Sequence, residues 1–464
     1  MAISSLADVK AIEQIILEGH GIPANTYEAL QLGAGINPHR IALRFFLQGA
    51  AYNDEVIYTY EDLLYLITQA ANMFHDLGIG KDDVVSMLLP NVPQALFTLF
   101  GGQAAGIVQP LDTSLEAEAL AEKMRQAGTK LLVTMAPFPG ADLWQRVEAV
   151  ADDVPSLETI LRVDLTHYLG RWHRWGAKWL NRQVPKPEVK ARLLDFGEMA
   201  RRYPPDRLIS QRIIRSGDVA SYFQVEGGKT AVTTHFNHVY TAWAAAQNII
   251  TGDREADADH VFFGGLPLYR LDGYLWGALL PFSLGATLVL GTPLGFTGDG
   301  VTAHFWEMGQ YFKISRLAAP PDVVQALLDV PVGQAKLDAL EYAFCGGTFL
   351  PDLAAQFEAQ TGARVLPGYW LPEAGGLAAI SPAVGEQRPG SVGLRLPYEE
   401  MRVVVVGEDA RYQRDCQPNE TGAIILRGPN VAAEDGLDLG DGQGNWLLTG
   451  NTGWLDVDGY LYLG

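Results

Sequence analysis

The sequence alternates short runs of β-branched and aliphatic residues with longer stretches of helical length, and this rhythm confines the chain to one architectural class. Val84 to Leu89 is followed by a helix-like stretch through Ala105, a strand at Ile107 to Leu111, a helix near Glu116 to Gln126 and a strand at Leu131 to Thr134. The pattern resumes with a strand at Val219 to Val225, a helix at Phe236 to Ile250, a strand at Val261 to Leu266 and a helix at Tyr274 to Phe282. It then continues in alternation to a strand at Arg364 to Leu366. Apolar strands separated by helices of about 10 to 15 residues imply parallel sheets covered on both faces. From Gly390 onward the texture changes to short strands, Arg402 to Val406, Ala423 to Arg427 and Trp446 to Thr449, between Gly, Asp and Asn turns, which predicts a small antiparallel unit. The expected fold class is therefore α/β: layered βαβ-type subdomains over 1–215 and 216–389, and a small β subdomain over 390–464. Tyr168 to Leu208, with Trp172, Trp175 and Trp179, keeps neither period and reads as a surface excursion; a partner-facing or membrane-facing surface is the alternative.

Composition narrows the function. With 54 acidic and 34 basic residues the net charge is −20, and the resulting field repels phosphate backbones, so nucleic acid is excluded as an expected partner. The uncharged stretches Val84 to Leu111 and Gly273 to Gly298 exceed the ~20 residues of a membrane span. Pro90, Pro93 and Pro110 divide the first, and Pro281 and Pro293 the second, into buried elements instead, so no transmembrane segment is expected. The N-terminal residues lack the basic region and apolar core of a secretory signal, and the two cysteines, Cys345 and Cys416, form no disulfide framework; a cytoplasmic setting is expected. The tract Glu434 to Asn445 is acidic and glycine-rich but lacks the closing glutamate of an EF-hand, and reads as a solvated turn.

The chemistry concentrates at Ala220 to Ala242. A hydrophobic strand runs into Glu226-Gly227-Gly228-Lys229-Thr230, and a helix starts after Thr234-His235. Glycines there let backbone N–H groups face an anion, and a lysine meets its charge, so the segment predicts a phosphate loop. A Walker loop is excluded, because its first glycine would have to be Phe223.

Further stretches follow in a telling order: Gly80 to Asn91, Gly106 to Leu111, Leu266-Pro267-Leu268-Tyr269-Arg270, Gly285-Ala286-Thr287, Pro389-Gly390-Ser391-Val392-Gly393, Thr421-Gly422, Arg427 to Val431 and Asp456 to Leu461. Together they resemble the large N-terminal domain of the adenylate-forming enzymes, the superfamily of acyl-CoA synthetases, luciferases and peptide-synthetase adenylation domains. The resemblance implies that ATP activates a carboxylic acid to an acyl adenylate, with magnesium, before transfer to coenzyme A. It assigns Lys229 and Glu373 catalytic roles, with Glu373 also the metal ligand. It assigns Gly227, Gly228, Thr234, His235, Gly346, Gly347, Thr348, Tyr369 and Asn451 to the nucleotide, and Tyr269, Arg270, Gly273, Gly368 and Gly375 to the acid. Tyr269, Leu271, Gly273, Tyr274 and Trp276 would line an apolar pocket, so a fatty or other apolar acid is expected.

Departures from the family pattern qualify this. The phosphate loop is about four residues short and carries Glu226, which weakens binding of a triphosphate. Trp370 and Pro372 replace a glycine and a threonine, Asn451 stands where the family has a ribose-binding aspartate, and Arg270 replaces a histidine or aromatic. The sequence stops where the family's mobile C-terminal domain, with its adenylation lysine, would begin. The second expectation is thus a degenerate binding protein that keeps an acyl or AMP pocket without ATP turnover. Several residues also have purely structural readings: Glu373 as a helix-start carboxylate, His235 as part of a helix start capped by Thr234, and Arg270 as the ion-pair partner of Asp272. A homodimer is the assembly that the sequence leaves open.

Overall fold

The structure is a computed structural model that describes residues 3–138, 140–168, 189–225, 228–249, 258–346, 351–407, 411–431, 437–439 and 446–464. The three tryptophans of the excursion and most of the acidic glycine tract lie outside the described residues.

The strands, in chain order, begin with β1 (Ile41–Phe46), β2 (Glu55–Thr59), β3 (Val84–Leu88), β4 (Ile107–Pro110), β5 (Thr129–Met135), β6 (Thr159–Val163) and β7 (Arg192–Asp195). Next come β8 (Val219–Gln224), β9 (Thr230–Thr234), β10 (Val261–Gly264), β11 (Thr287–Leu290), β12 (Arg316–Ala318), β13 (Tyr342–Gly346), β14 (Arg364–Leu371), β15 (Gly376–Ile380) and β16 (Leu394–Arg395). The last are β17 (Glu400–Val406), β18 (Tyr412–Asp415), β19 (Gly422–Arg427), β20 (Leu447–Leu455) and β21 (Leu461–Leu463).

They form a seven-stranded sheet, order β7-β6-β5-β3-β4-β8-β9, a nine-stranded sheet, order β16-β15-β14-β13-β12-β10-β11-β1-β2, and a five-stranded sheet, order β18-β17-β19-β20-β21. The first is parallel from β7 through β8 and closes with antiparallel β9; the second is parallel from β14 through β1, with antiparallel strands at both ends. The third is antiparallel throughout. The α/β class with a small antiparallel sheet is as the rhythm predicts. The first two sheets interleave along the chain: β1 and β2 join a sheet whose other strands come from residues 261–395, and β8 and β9 join one built from residues 84–195.

The uncharged stretches are core. Strands β3 and β4 are buried at every position, and so is the helix Pro93–Ala105 except at Gln94. Gly101 lets that helix approach Tyr60–Asp76, since a Cβ there would sit 2.9 Å from Ala70 Cβ. Among the described residues, no helix is long and apolar enough to cross a membrane.

Two elements near the motifs differ from the expected pattern. Thr230–Thr234 is a strand, paired with β8 from Val219↔Thr234 to Gln224↔Thr230, so the phosphate segment is a hairpin and not a strand-to-helix loop. Strand β14 runs five residues past the predicted Leu366, to Leu371. Tyr, Trp and Leu suit a pleated surface, and β13 and β15 pair with it on either side.

Candidate active site

The phosphate segment is the turn between β8 and β9. Gly228 sits at φ +75°, a left-handed backbone that glycine adopts without penalty. The Val225 N–H donates to Lys229 O (3.0 Å) and the Gly228 N–H to Val225 O (3.2 Å), so both amides are taken up inside the turn. Lys229 is exposed at the tip. Gly227 and Glu226 lie outside the described residues. A lysine distant in sequence secures the turn: Lys123 Nζ, on the helix Ala117–Ala127, donates to Gly228 O at 2.5 Å.

Thr234 and His235 begin the helix His235–Ala246. The Thr234 hydroxyl accepts from the Asn237 N–H, and Asn237 Oδ1 accepts from the Thr234 N–H at 2.7 Å, a reciprocal capping box. His235 is fully buried and its Nδ1 accepts from the Thr26 N–H at 3.3 Å. Burial pushes its pKa down to about 4. Both side chains are thus engaged inside the fold, as the structural reading of this helix start anticipates.

The residues expected to meet the nucleotide are drawn from two sheets. Gly346 ends β13 opposite Gly368 of β14, and the next residue, Tyr369, is 4% exposed. Its hydroxyl donates to Asn451 Oδ1 on β20 at 2.6 Å, which joins the nine-stranded sheet to the five-stranded one. Burial raises the Tyr369 phenol above its ordinary value, and the negative charge of Glu373 adds to the effect. Glu373 is exposed in the short turn Pro372–Ala374 between β14 and β15. That turn ends at Gly375, φ +68°, where a Cβ would lie 3.1 Å from Thr241 Oγ1 of the helix that follows the hairpin. Asn430 ties the same parts together: its Nδ2 donates to Ala374 O at 2.5 Å, and its main-chain carbonyl accepts from Asn237 Nδ2 at 3.2 Å. Gly347 and Thr348 lie outside the described residues. Gly346, Gly368, Tyr369, Glu373, Gly375 and Asn451 therefore gather at the ends of β13 and β14.

At the acid end, Arg270 makes a two-pronged ion pair with Asp272 (Nε to Oδ1 3.0 Å, Nη2 to Oδ2 2.8 Å). Tyr269 is half-buried, and desolvation, followed by the nearby Asp112 carboxylate, pushes its phenol up to about 12. Gly273 lies against backbone, since a Cβ would be 2.0 Å from Pro267 O. Tyr274 is buried and donates to Gln103 Oε1 at 3.1 Å. Trp276 stacks on Phe344, centroids 3.9 Å apart, and meets Trp370 edge-on at 6.0 Å. Trp370 lies directly over Gly346, where a Cβ would be 2.0 Å from its Cδ1. The result is an aromatic slab beside Gly346 and Tyr369. Cys345, next to Gly346, is a buried free thiol whose pKa is raised by burial, so it is no nucleophile.

Sequence reasoning missed Lys123 and the bridging role of Asn430. Lys123 sits 105 residues from Gly228 on an ordinary charged helix, and no local signal marks it. Asn430 lies within Arg427 to Val431, a stretch whose side-chain bonds only the fold reveals.

Known proteins share this fold. The AMP-binding enzyme family matches residues 31–194 and 228–434. The chain is 28% identical over 473 aligned positions to the marinolic acid–CoA ligase of a Pseudoalteromonas species, covering 99% of this chain and 68% of that protein. Among solved structures, the anthranilate CoA ligase AuaEII in complex with anthranoyl-AMP superposes with a TM-score of 0.76 at 19% identity, over 95% of this chain and 78% of that one. The N-terminal domain of FACL13 from Mycobacterium tuberculosis gives 0.72 at 18% identity, over 95% of this chain and 100% of that one. The profile match spans well over half of the sequence, and the chain belongs to the AMP-binding enzyme family.

Proposed function

We propose that the protein is an adenylate-forming acid–CoA ligase that uses ATP to activate an apolar carboxylic acid to its acyl adenylate before thiol transfer to coenzyme A. The observation that carries this is the convergence of Gly346, Tyr369, Glu373 and Asn451 beside the Trp276, Phe344 and Trp370 slab. A carboxylate is a poor electrophile, and making it one requires a polar nucleotide site next to a surface that excludes water. In this reading the Tyr369 ring packs against the base, and Asn451 bonds a ribose hydroxyl without charge assistance. Lys229 meets the phosphates, and the slab holds the body of the acid, with chain length limited by Trp370. Magnesium fits the donors present: it binds through one or two carboxylates plus substrate phosphates, and Glu373 offers an exposed carboxylate next to the Tyr369 end of the crevice. When bound, it would neutralise phosphate charge. We assign 1–215, 216–389 and 390–464 as the three chain segments of this ligase, with β1 and β2 of the first crossing into the nine-stranded sheet and β8 and β9 of the second into the seven-stranded one.

The test is pyrophosphate exchange into ATP, in the full natural protein with magnesium, across a panel of fatty and aromatic acids. Exchange is expected with at least one apolar acid, and Lys229→Ala should lower it by roughly tenfold or more, the loss of one charge-assisted hydrogen bond. Absence of exchange with every acid contradicts the reading.

One observation favours the degenerate binder as the second reading. The Val225 and Gly228 amides of the turn are engaged, and Trp370 covers Gly346, which together reduce the room and the donors for a triphosphate.

A further inference from the structure

We infer that Lys123 is a second cation of the phosphate site, binding the outer phosphates of a nucleoside triphosphate beside Lys229. This rests on the nucleotide reading proposed above. Lys123 Nζ donates to Gly228 O at 2.5 Å, which places an ammonium at the tip of the β8–β9 turn. An ammonium has three donors, and this bond uses one. The backbone of Lys123 is itself held, since its carbonyl accepts from Gln109 Nε2 of β4 at 3.2 Å, and Gln109 Oε1 accepts from the Ser86 hydroxyl of β3 at 2.7 Å. The helix that carries Lys123 is thus tied to the parallel strands β3 and β4, and Lys123 in turn holds the β8–β9 turn.

The charge balance points the same way. Glu122, its neighbour on the helix, bonds Arg125 and Gln126. Among the described residues no carboxylate pairs with Lys123 within ion-pair distance. A phosphate loop ordinarily meets its anion with backbone N–H groups, but the Val225 and Gly228 amides are engaged within the turn. Two lysine ammoniums there add donors as compact point charges, in a protein whose net charge of −20 otherwise repels ATP. The β- and γ-phosphates are the ligand chemistry such a pair selects. AMP, whose single phosphate stays at the Tyr369 end, is not.

The experiment is calorimetric titration of the protein with MgATP and separately with AMP, for the wild type, Lys123→Met and Lys123→Arg. Lys123 is only partly buried, so these variants should fold. The inference expects Lys123→Met to weaken ATP by roughly tenfold or more while leaving AMP unchanged, with Lys123→Arg restoring most of the loss. Equal ATP affinity in wild type and Lys123→Met overturns the assignment and leaves the nucleotide reading intact. Equal weakening of ATP and AMP also overturns it, because Lys123 would then only anchor the turn, as does wild-type binding of AMP without ATP. A wild type that binds neither nucleotide overturns the nucleotide reading itself.

Discussion

Lowering the pH from 6.5 to 4.5 should destabilise the fold by on the order of 3 kcal/mol, with two buried histidines as the cause. His235 and His238 are 0% and 2% exposed, and His238 Nε2 lies 3.0 Å from Thr233 Oγ1 and 3.2 Å from Ser221 Oγ. Desolvation holds their pKa values down to about 4 and about 3. An unfolded chain protonates its histidines near 6.5 while the folded one does not, so their contribution is complete above 6.5 and is lost as the pH falls toward 4. Each pH unit in this window removes about 1.4 kcal/mol per histidine. Glu399 opposes them. It is fully buried and its carboxyl is held neutral, well above the ordinary range, chiefly by desolvation. Because an unfolded Glu399 would ionise above 4.5, its penalty shrinks as the pH falls and offsets part of the histidine loss. Urea midpoints at three pH values across the window measure the net fall. In His238→Gln one of the two histidine contributions is gone and the fall should be clearly smaller; an undiminished fall in that variant contradicts the assignment.

Gly393→Ala should cost on the order of 4 kcal/mol, from a left-handed backbone forced on a side chain and a collision with neighbouring main chain. Gly393 has φ +94°, and a Cβ would lie 2.0 Å from Ile380 C and 2.1 Å from Ser381 N. Its carbonyl accepts from the Leu461 N–H at 2.9 Å, and the Ser391 hydroxyl donates to Leu461 O at 2.8 Å. The stretch Pro389 to Gly393, quoted above only as a motif, therefore joins the nine-stranded sheet to the five-stranded one that carries Asn451. Gly390→Ala is the control. Its φ is +81°, but the nearest atom to a Cβ is 4.0 Å away, so strain alone applies and about 1 kcal/mol is expected. Denaturant midpoints for both variants check the contrast, and equal losses would contradict the collision.

These residues also show what the sequence could and could not convey. Period and composition carry local information, so the rhythm of β3 to β6 and the buried nature of Val84 to Leu111 were legible, and prolines argued correctly against a membrane span. Strand β9 was not legible, because Thr230 to Thr234 is short and only half-buried, and pairing with β8 rather than propensity makes it a strand. The insertion of β1 and β2 into a sheet built mostly from residues 261–395 is likewise a matter of long-range pairing. At the site, the family resemblance pointed to Tyr369 and Glu373, and the Arg270–Asp272 pair could be anticipated from two residues close in sequence. The contacts Lys123 to Gly228, Tyr369 to Asn451 and Trp370 over Gly346 join positions that no local pattern relates.

The central claim is that a nucleotide and an organic acid share the crevice at the ends of β13 and β14, and calorimetric titration with a non-reactive acyl-adenylate mimic tests it most directly. The wild type should bind one equivalent saturably, and Asn451→Ala should bind about fivefold more weakly, the loss of one neutral hydrogen bond. No binding by the wild type, or identical affinity in the variant, would contradict the account.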